Sequence, residues 1–288
     1  MREKISNKKI IVGVVIVIIL LSAFCWWNNN ALEITEIQYT NKDIPEEFDG
    51  YRIVHLSDLH NKEFGKDQKR LVEKIKEANG DIIIMTGDMV DNFQDDITPT
   101  IKLMEECVKI APCYFVSGNH EVDIEHFEDF KNNIENIGVD VLDSEIAKIT
   151  IGKDTIDLMG LRDANFISTD EYKYGNPIER DLNKLIKGSS DFKILLAHRP
   201  EYFDWYSKEN SEIDLVFSGH AHGGQIRIPF INQGLIAPGQ GIFPQLTEGI
   251  TTKNSTSIVV SRGLGNSLIP LRVFNRPEVV IVTLRSED

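Results

Sequence analysis

The chain has 288 residues, 41% hydrophobic and 26% charged, which suits one large globular domain or two small ones. Its formal net charge of −14 excludes a bulk surface that attracts nucleic acid or anionic membranes. Three cysteines, Cys25, Cys107 and Cys113, show no C-x-x-C pair and no disulfide-scaffold spacing, although a Cys107–Cys113 bond stays open in an oxidising compartment.

Residues Ile10 to Trp27 form a charge-free apolar run with no polar face. As a helix it spans roughly 27 Å, close to the hydrocarbon core of a bilayer. Before it, Arg2, Lys4, Lys8 and Lys9 stand against one acid, Glu3. That bias predicts a cytoplasmic N-terminus at 1–9, an anchor at 10–27, and the remainder at the extracytoplasmic side of the cell membrane. A cleaved signal and a lipoprotein signal compete with this reading. Phe24-Cys25-Trp26-Trp27 is a poor cleavage site, and Ser22 stands where a lipoprotein signal wants Leu.

From about Leu32 strands and helices alternate. Tyr51–Ser57 reads as a strand, and Lys66–Asn79 as a helix with Leu71, Val72, Ile75 and Ala78 at helical spacing, ended by Gly80. Asp81–Thr86 and Cys113–Ser117 are short buried strands, with helices at Ile97–Ile110 and Ile124–Ile137. A hairpin-like region lies near Ile146–Leu161. Asn176 and Pro177 open a helix as cap and first turn. Phe192–Ala197 and Asp214–Phe217 are further buried strands, and Gln225–Ile228, Ser257–Ser261 and Val279–Leu284 follow. The alternation predicts parallel β-α-β units, with the extra strands in a second sheet. One domain over 32–288 is the simplest division.

Five short blocks stand after predicted buried strands: Asp58-Leu59-His60, Gly87-Asp88-Met89-Val90-Asp91, Gly118-Asn119-His120-Glu121, His198, and Gly219-His220-Ala221-His222. Ligand sites of open α/β sheets form at that strand edge, so one crevice should collect all five. Imidazole with carboxylate favours Mn, Fe or Zn over Mg or Ca. The two histidines outside the blocks are expected to be bland, His55 in a strand and His126 on a helix surface.

The order D-x-H, G-D-x-x-D, G-N-H-E, H, G-H-x-H resembles the calcineurin-like metallophosphoesterase superfamily, from about Tyr51 to the C-terminus. Residues 219–230, Ser261–Gly265 and Arg276-Pro277-Glu278 resemble its membrane-anchored bacterial subgroup, some members of which act as UDP-diacylglucosamine pyrophosphatases. The resemblance implies an α/β fold of two mixed β-sheets packed face to face and flanked by helices. It implies one metal held by Asp58, His60 and His222, a second by Asn119, His198 and His220, and Asp88 bridging both. His120 would be an acid beside the substrate, oriented by Asp91.

Two divalent ions with two carboxylate ligands leave about two positive charges, which lets an acidic protein hold phosphate. Ions roughly 3.5–4 Å apart would hold a bridging hydroxide for in-line attack on phosphorus. Kept protonated by the phosphate and Asp91, His120 would donate to the leaving oxygen. Arg199, Arg227 and Arg262 are candidate phosphate clamps.

Phosphoprotein phosphatases of the superfamily usually carry Arg after G-D-x-x-D and after G-N-H-E. Here Asn92 and Val122-Asp123 stand there, so both clamps are missing, which weighs against a phosphoprotein substrate. An anchored site favours an amphipathic substrate, and the function expected is hydrolysis of a phosphodiester or pyrophosphate bond in a membrane-associated or lipid-linked molecule. Apolar residues crowd 229–243 and 264–274, among them Phe230, Ile231, Leu235, Ile236, Phe243, Leu268, Ile269 and Phe274. They complete a sheet core, line an acyl-chain groove or dip into the membrane surface. A general or cyclic-nucleotide phosphodiesterase, or a non-catalytic metal-dependent binding protein, are the rival readings.

Overall fold

A computed structural model of the chain describes residues 7–171, 176–189, 191–208, 211–266 and 269–287. Arg2, Lys4 and Leu268 lie outside them. The apolar run is one helix, α1 (Asn7–Asn30), whose residues from Ile10 to Leu21 are exposed, with no protein covering them. It is the one helix among the described residues long and apolar enough to cross a membrane. Two residues later the chain enters β1 (Glu33–Asn41).

The next units alternate as the sequence predicts: β2 (Arg52–Leu56), α2 (Lys69–Ala78), β3 (Ile82–Thr86), α3 (Thr98–Cys107), β4 (Cys113–Val116), the short α4 (Asn119–Val122), α5 (Phe127–Ile137) and β5 (Val139–Val141). Strands β2 to β5 pair in parallel. The helix expected from Ile124 begins at Phe127, because His126 adopts a left-handed backbone.

A hairpin, β6 (Ile146–Ile151) and β7 (Asp154–Leu161), starts the second sheet. Then come α6 (Pro177–Gly188), β8 (Phe192–Ala197), α7 (Phe203–Tyr206) and β9 (Leu215–Ser218). Asn176 Oδ1 accepts the Ile178 N–H, the cap its position predicts. Two small ribbons follow, β10 (Arg227–Ile228) with β11 (Gln233–Gly234) and β12 (Ile236–Ala237) with β13 (Gly241–Ile242). Strands β14 (Gly249–Lys253), β15 (Thr256–Val260) and β16 (Glu278–Ser286) close the chain.

Among the described residues the first sheet runs β1-β16-β2-β3-β4-β5 and the second β14-β15-β9-β8-β7-β6. Both are mixed: β16 is antiparallel to β2, and β6 and β14 are antiparallel to their neighbours. Period-two alternation explains the layers. Ile53, Ile82, Ile84 and Tyr114 of the first sheet meet Ile194, Leu196, Leu215 and Phe217 of the second. Val54, Ile83, Met85 and Phe115 face outward under α2, α3 and α5. On the far side, Leu195, Ala197 and Val216 face Ile178, Leu182 and Leu185 of α6. The result is a helix–sheet–sheet–helix sandwich. Cys107 and Cys113 are buried free thiols.

Candidate metal centre

Strands of both sheets end at one cleft of about 600 Å³. Strand β2 leads into Asp58 and His60, β3 into Asp88 and Asp91, β4 into Asn119 and His120, β8 into His198, and β9 into His220 and His222. Asp58, His60, Asp88 and His222 offer ligand atoms all within 4.8 Å of one another, and so do Asp88, His198 and His220. Asp88 belongs to both groups. Its Oδ2 lies 3.8 Å from His60 Nε2 and 3.2 Å from His198 Nε2. Asn119 Oδ1, 3.2 Å from the same His198 nitrogen, joins the second group. The structure thus brings together all seven residues that the sequence offered as ligands.

The donor set fits divalent cations. His60 Nε2 and His222 Nε2 face each other at 3.2 Å. Burial holds both rings neutral, lowering His60 to about 4 and His222 well below the ordinary imidazole range. A neutral ring is the form that ligates a metal. Burial likewise lowers His220 well below that range. Burial by itself would raise the Asp88 carboxyl, but His198 overrides it and holds Asp88 well below the usual carboxylate range. In turn Asp88 holds His198 up at about 10, against the burial that would lower it. Asp58 is raised to about 7, by burial first, with His198 opposing.

Backbone geometry at the site is unusual. Asp58, His60, Asp88, His220 and His222, five of the seven, have positive φ between 46° and 62°. Left-handed backbone at a non-glycine residue costs on the order of 1 kcal/mol and persists where the surroundings enforce it, typically at functional sites. Here the enforcement is visible. The N–H groups of Asp58, His60 and Asn61 donate to the carbonyls of Gly87, Asp88 and Met89 at 3.0–3.1 Å. The His220 N–H donates to Asp58 Oδ1 at 2.9 Å, and the His120 N–H to Asp88 Oδ1 at 2.8 Å. Two glycines make room: a Cβ at Gly118 would sit 2.3 Å from Asp88 Oδ1, and one at Gly219 1.8 Å from Ser57 Oγ.

Two residues without an expected role stand beside the centre. Glu121 is fully buried and accepts the N–H groups of Asp88, Met89 and Gly118 at 2.8 Å and of Val90 at 3.2 Å. Glu201 Oε1 approaches His220 Nε2 to 3.6 Å, a contact beyond hydrogen-bond reach. Glu121 completes the G-N-H-E block, but nothing in its spacing shows that it gathers two strand ends.

His120 lines the cleft with its Nδ1 3.4 Å from Asp91 Oδ1, and the Asn92 N–H points at the same nitrogen at 3.3 Å. His60 and Phe93 flank the ring, at centroid distances of 4.6 and 5.9 Å. His55 and His126 stay outside: His55 Nε2 meets Thr86 Oγ1 at 2.7 Å in the core, and His126 is exposed beside Glu125.

The structure corrects the expectation for the three arginines, none of which lines the cleft. Arg199 makes a two-pronged pair with Asp163, at 2.7 and 3.0 Å. Arg227 is buried and pairs with Glu248 at 2.6 Å, and Arg262 pairs with Glu278 at 2.7 Å and Glu33 at 3.0 Å. Their charges are spent on carboxylates distant in sequence. Among the described residues, the apolar tract at 229–243 and 264–274 is likewise mostly not core. Leu264 is buried and Leu235 half-buried, but Phe230, Ile231, Ile236, Phe243, Ile269 and Phe274 are exposed.

Fold and site together define a metal-dependent phosphoesterase class, and sequence comparison agrees. The profile of the Calcineurin-like phosphoesterase family matches residues 51–224, so the chain belongs to that family. The chain is similar to the uncharacterized metallophosphoesterase YkuE of Bacillus subtilis, 31% identical over 90% of this chain and 87% of that one. It is 26% identical to a transmembrane protein with metallophosphoesterase domain of Danio rerio, over 88% of this chain and 57% of that one. Among solved structures, Haemophilus influenzae NAD nucleotidase aligns at TM-score 0.48 and 14% identity, over 74% of this chain and 45% of that one.

Proposed function

We propose that the chain is a membrane-anchored hydrolase of phosphodiester or pyrophosphate bonds, acting on a membrane-associated or lipid-linked substrate at the extracytoplasmic face. The observation that carries the chemistry is Asp88 Oδ2, a single carboxylate oxygen within reach of ring nitrogens from both ligand groups. Asp58, His60 and His222 would hold one divalent cation, Asn119, His198 and His220 the other, with Asp88 between them. When bound, such a pair supplies Lewis acidity and an activated water at neutral pH.

The chain's own residues would do the rest. Asp91 and Asn92 take up Nδ1 of His120, so the proton it would give the leaving oxygen is the one on Nε2. No Lys or Arg lines the cleft among the described residues. At the positions where phosphoprotein phosphatases place arginines, Asn92 Nδ2 donates to Asp123 Oδ2 at 3.2 Å. A carboxylate there opposes a doubly charged phosphomonoester and tolerates a singly charged diester. Ile236, Ala237, Pro238 and Ile269 give the other wall an apolar surface, which suits a lipid-bearing group.

The test is the full chain, purified in detergent, with Mn²⁺ and chromogenic aryl phosphodiester and phosphomonoester substrates, beside Asp88→Asn. Expected is metal-dependent diester hydrolysis that exceeds monoester hydrolysis and falls by about a thousandfold in the variant. Absence of turnover with Mn²⁺, Zn²⁺ and Fe²⁺ alike would overturn the catalytic reading in favour of a binding protein.

A further inference from the structure

The last turn of α1 is built into the folded domain. Asn29 Oδ1 accepts from Asn266 Nδ2 at 2.8 Å and from the Arg272 N–H at 3.2 Å. Arg70 donates to the Asn30 carbonyl at 2.9 Å, and Lys62 to that of Asn29. Arg276 stacks over Trp27 at 4.9 Å, and the Phe24 and Phe274 rings meet edge-on at 5.1 Å. The helix therefore does not dangle from a linker. Asn266, Arg272, Phe274 and Arg276 therefore sit at the level where α1 ends.

The cleft rim continues from those residues. The Arg227 N–H donates to the Val273 carbonyl at 3.0 Å and Ile226 bridges Val273, which joins the first ribbon to Val273; the Leu235 N–H, donating to the Ile226 carbonyl at 2.8 Å, ties on the second. At the tip of the first ribbon Phe230 is fully exposed and Ile231 67% exposed, and in the second Ile242 is 69% exposed. Phe243 and Phe274 are half exposed. Residues 228–247 contain no charged side chain, and neither do 263–271. At the chain's 26% charged content, the first stretch alone would carry about five charges. A water-facing surface of an acidic protein does not lose its charges while gaining exposed Phe and Ile. Adjoining an apolar helix end, such a surface suits the lipid interface.

We propose that the rim formed by the two ribbons and Phe274 seats in the headgroup–acyl interface of the bilayer that α1 crosses, so that the cleft opens toward the lipid. This rests on α1 being a membrane-spanning anchor. Ile236 and Ile269 lie on the cleft wall next to the rim, so a substrate can enter from the bilayer without crossing water.

The test uses the full chain in phosphatidylcholine nanodiscs, with Cys25→Ser and one environment-sensitive fluorophore on Phe230→Cys, Ile242→Cys, Ile16→Cys or Lys153→Cys. Cys107 and Cys113 are buried and stay unlabelled. Lys153 is exposed in the β6–β7 turn, at the edge of the sheet opposite the site. Lipid nitroxide near the headgroups should quench positions 230 and 242 about threefold or more above position 153, with position 16 shielded from aqueous iodide. If 16 is shielded while 230 and 242 behave as 153 does, the rim is not in the bilayer. Shielding of 230 and 242 from both iodide and lipid nitroxide would mean that a second copy covers the rim, and the proposal falls. Iodide access at position 16 would remove the anchor itself.

Discussion

The Glu121 carboxylate accepts the Asp88 backbone N–H at 2.8 Å, so the residue shared by the two candidate ligand groups hangs from a buried acid. Burial, then the negative charge of Asp88, pushes the Glu121 carboxyl up to about 8. The four groups that it accepts from are all backbone N–H donors. Above pH 8, where the Glu121 carboxyl is ionised, Glu121→Gln turns one acceptor oxygen into a donor among donors, at a cost of about 1–3 kcal/mol. Expected is a lower melting temperature together with roughly 10- to 100-fold weaker metal affinity, measured by calorimetric titration. Unchanged affinity would show that Glu121 does not position the centre.

His120→Asn and Asp91→Asn separate proton donation from cation binding. His120→Asn is expected to slow hydrolysis by about 10²–10⁴-fold, more for diesters with poor leaving groups, while bound metal stays the same. Asp91→Asn should show a weaker form of the same leaving-group dependence. A series of aryl diesters of graded leaving-group pKa reads this directly. Equal slowing across the series would remove His120 from the donor role.

Arg199→Ala tests whether that guanidinium serves substrate or fold. Its partner Asp163 is buried, so removing the arginine strands a carboxylate, at a cost of about 3 kcal/mol. Expected is a clear loss in thermal melting with KM for a soluble diester unchanged within about twofold. A KM rise of about tenfold or more would restore the clamp reading.

His55 should set part of the acid sensitivity. Buried in the core, its imidazole is lowered from 6.5 to about 3. Below pH 6.5 the unfolded chain takes a proton that the folded chain refuses until about pH 3, so this stability is present above 6.5 and lost on acidification. In that window the ring contributes a slope of about 1.4 kcal/mol per pH unit. His55→Gln should flatten the measured stability between pH 6 and 4 by about that amount. An unchanged slope would place the acid sensitivity elsewhere.

The parts legible in the sequence were those that one chain segment can express alone. The buried run Phe192–Ala197 is a strand with those bounds, and each ligand block follows a strand of its own. Strand β1 was harder to read because its burial is partial and irregular, with Glu36 exposed and Glu33 half-buried against Arg262 and Arg276. The arginines misled because Asp163, Glu248 and Glu278 neutralise them from other elements. For 229–243, periodicity cannot separate an apolar residue at an exposed ribbon tip from one in a core. The work of Glu121 appears only when backbone donors of two strand ends are counted together.

Strand β1 pairs in parallel with β16 along its whole length, Glu33 to Asn41 against Glu278 to Ser286. The strand adjoining α1 is therefore complete only when a distant part of the chain has been synthesised. With α1 inserted in the bilayer as proposed, its neighbouring strand would wait unpaired beside the membrane during synthesis. Folding must then close a very long loop as a late step, which makes the nascent domain slow to finish and gives quality-control proteases a window.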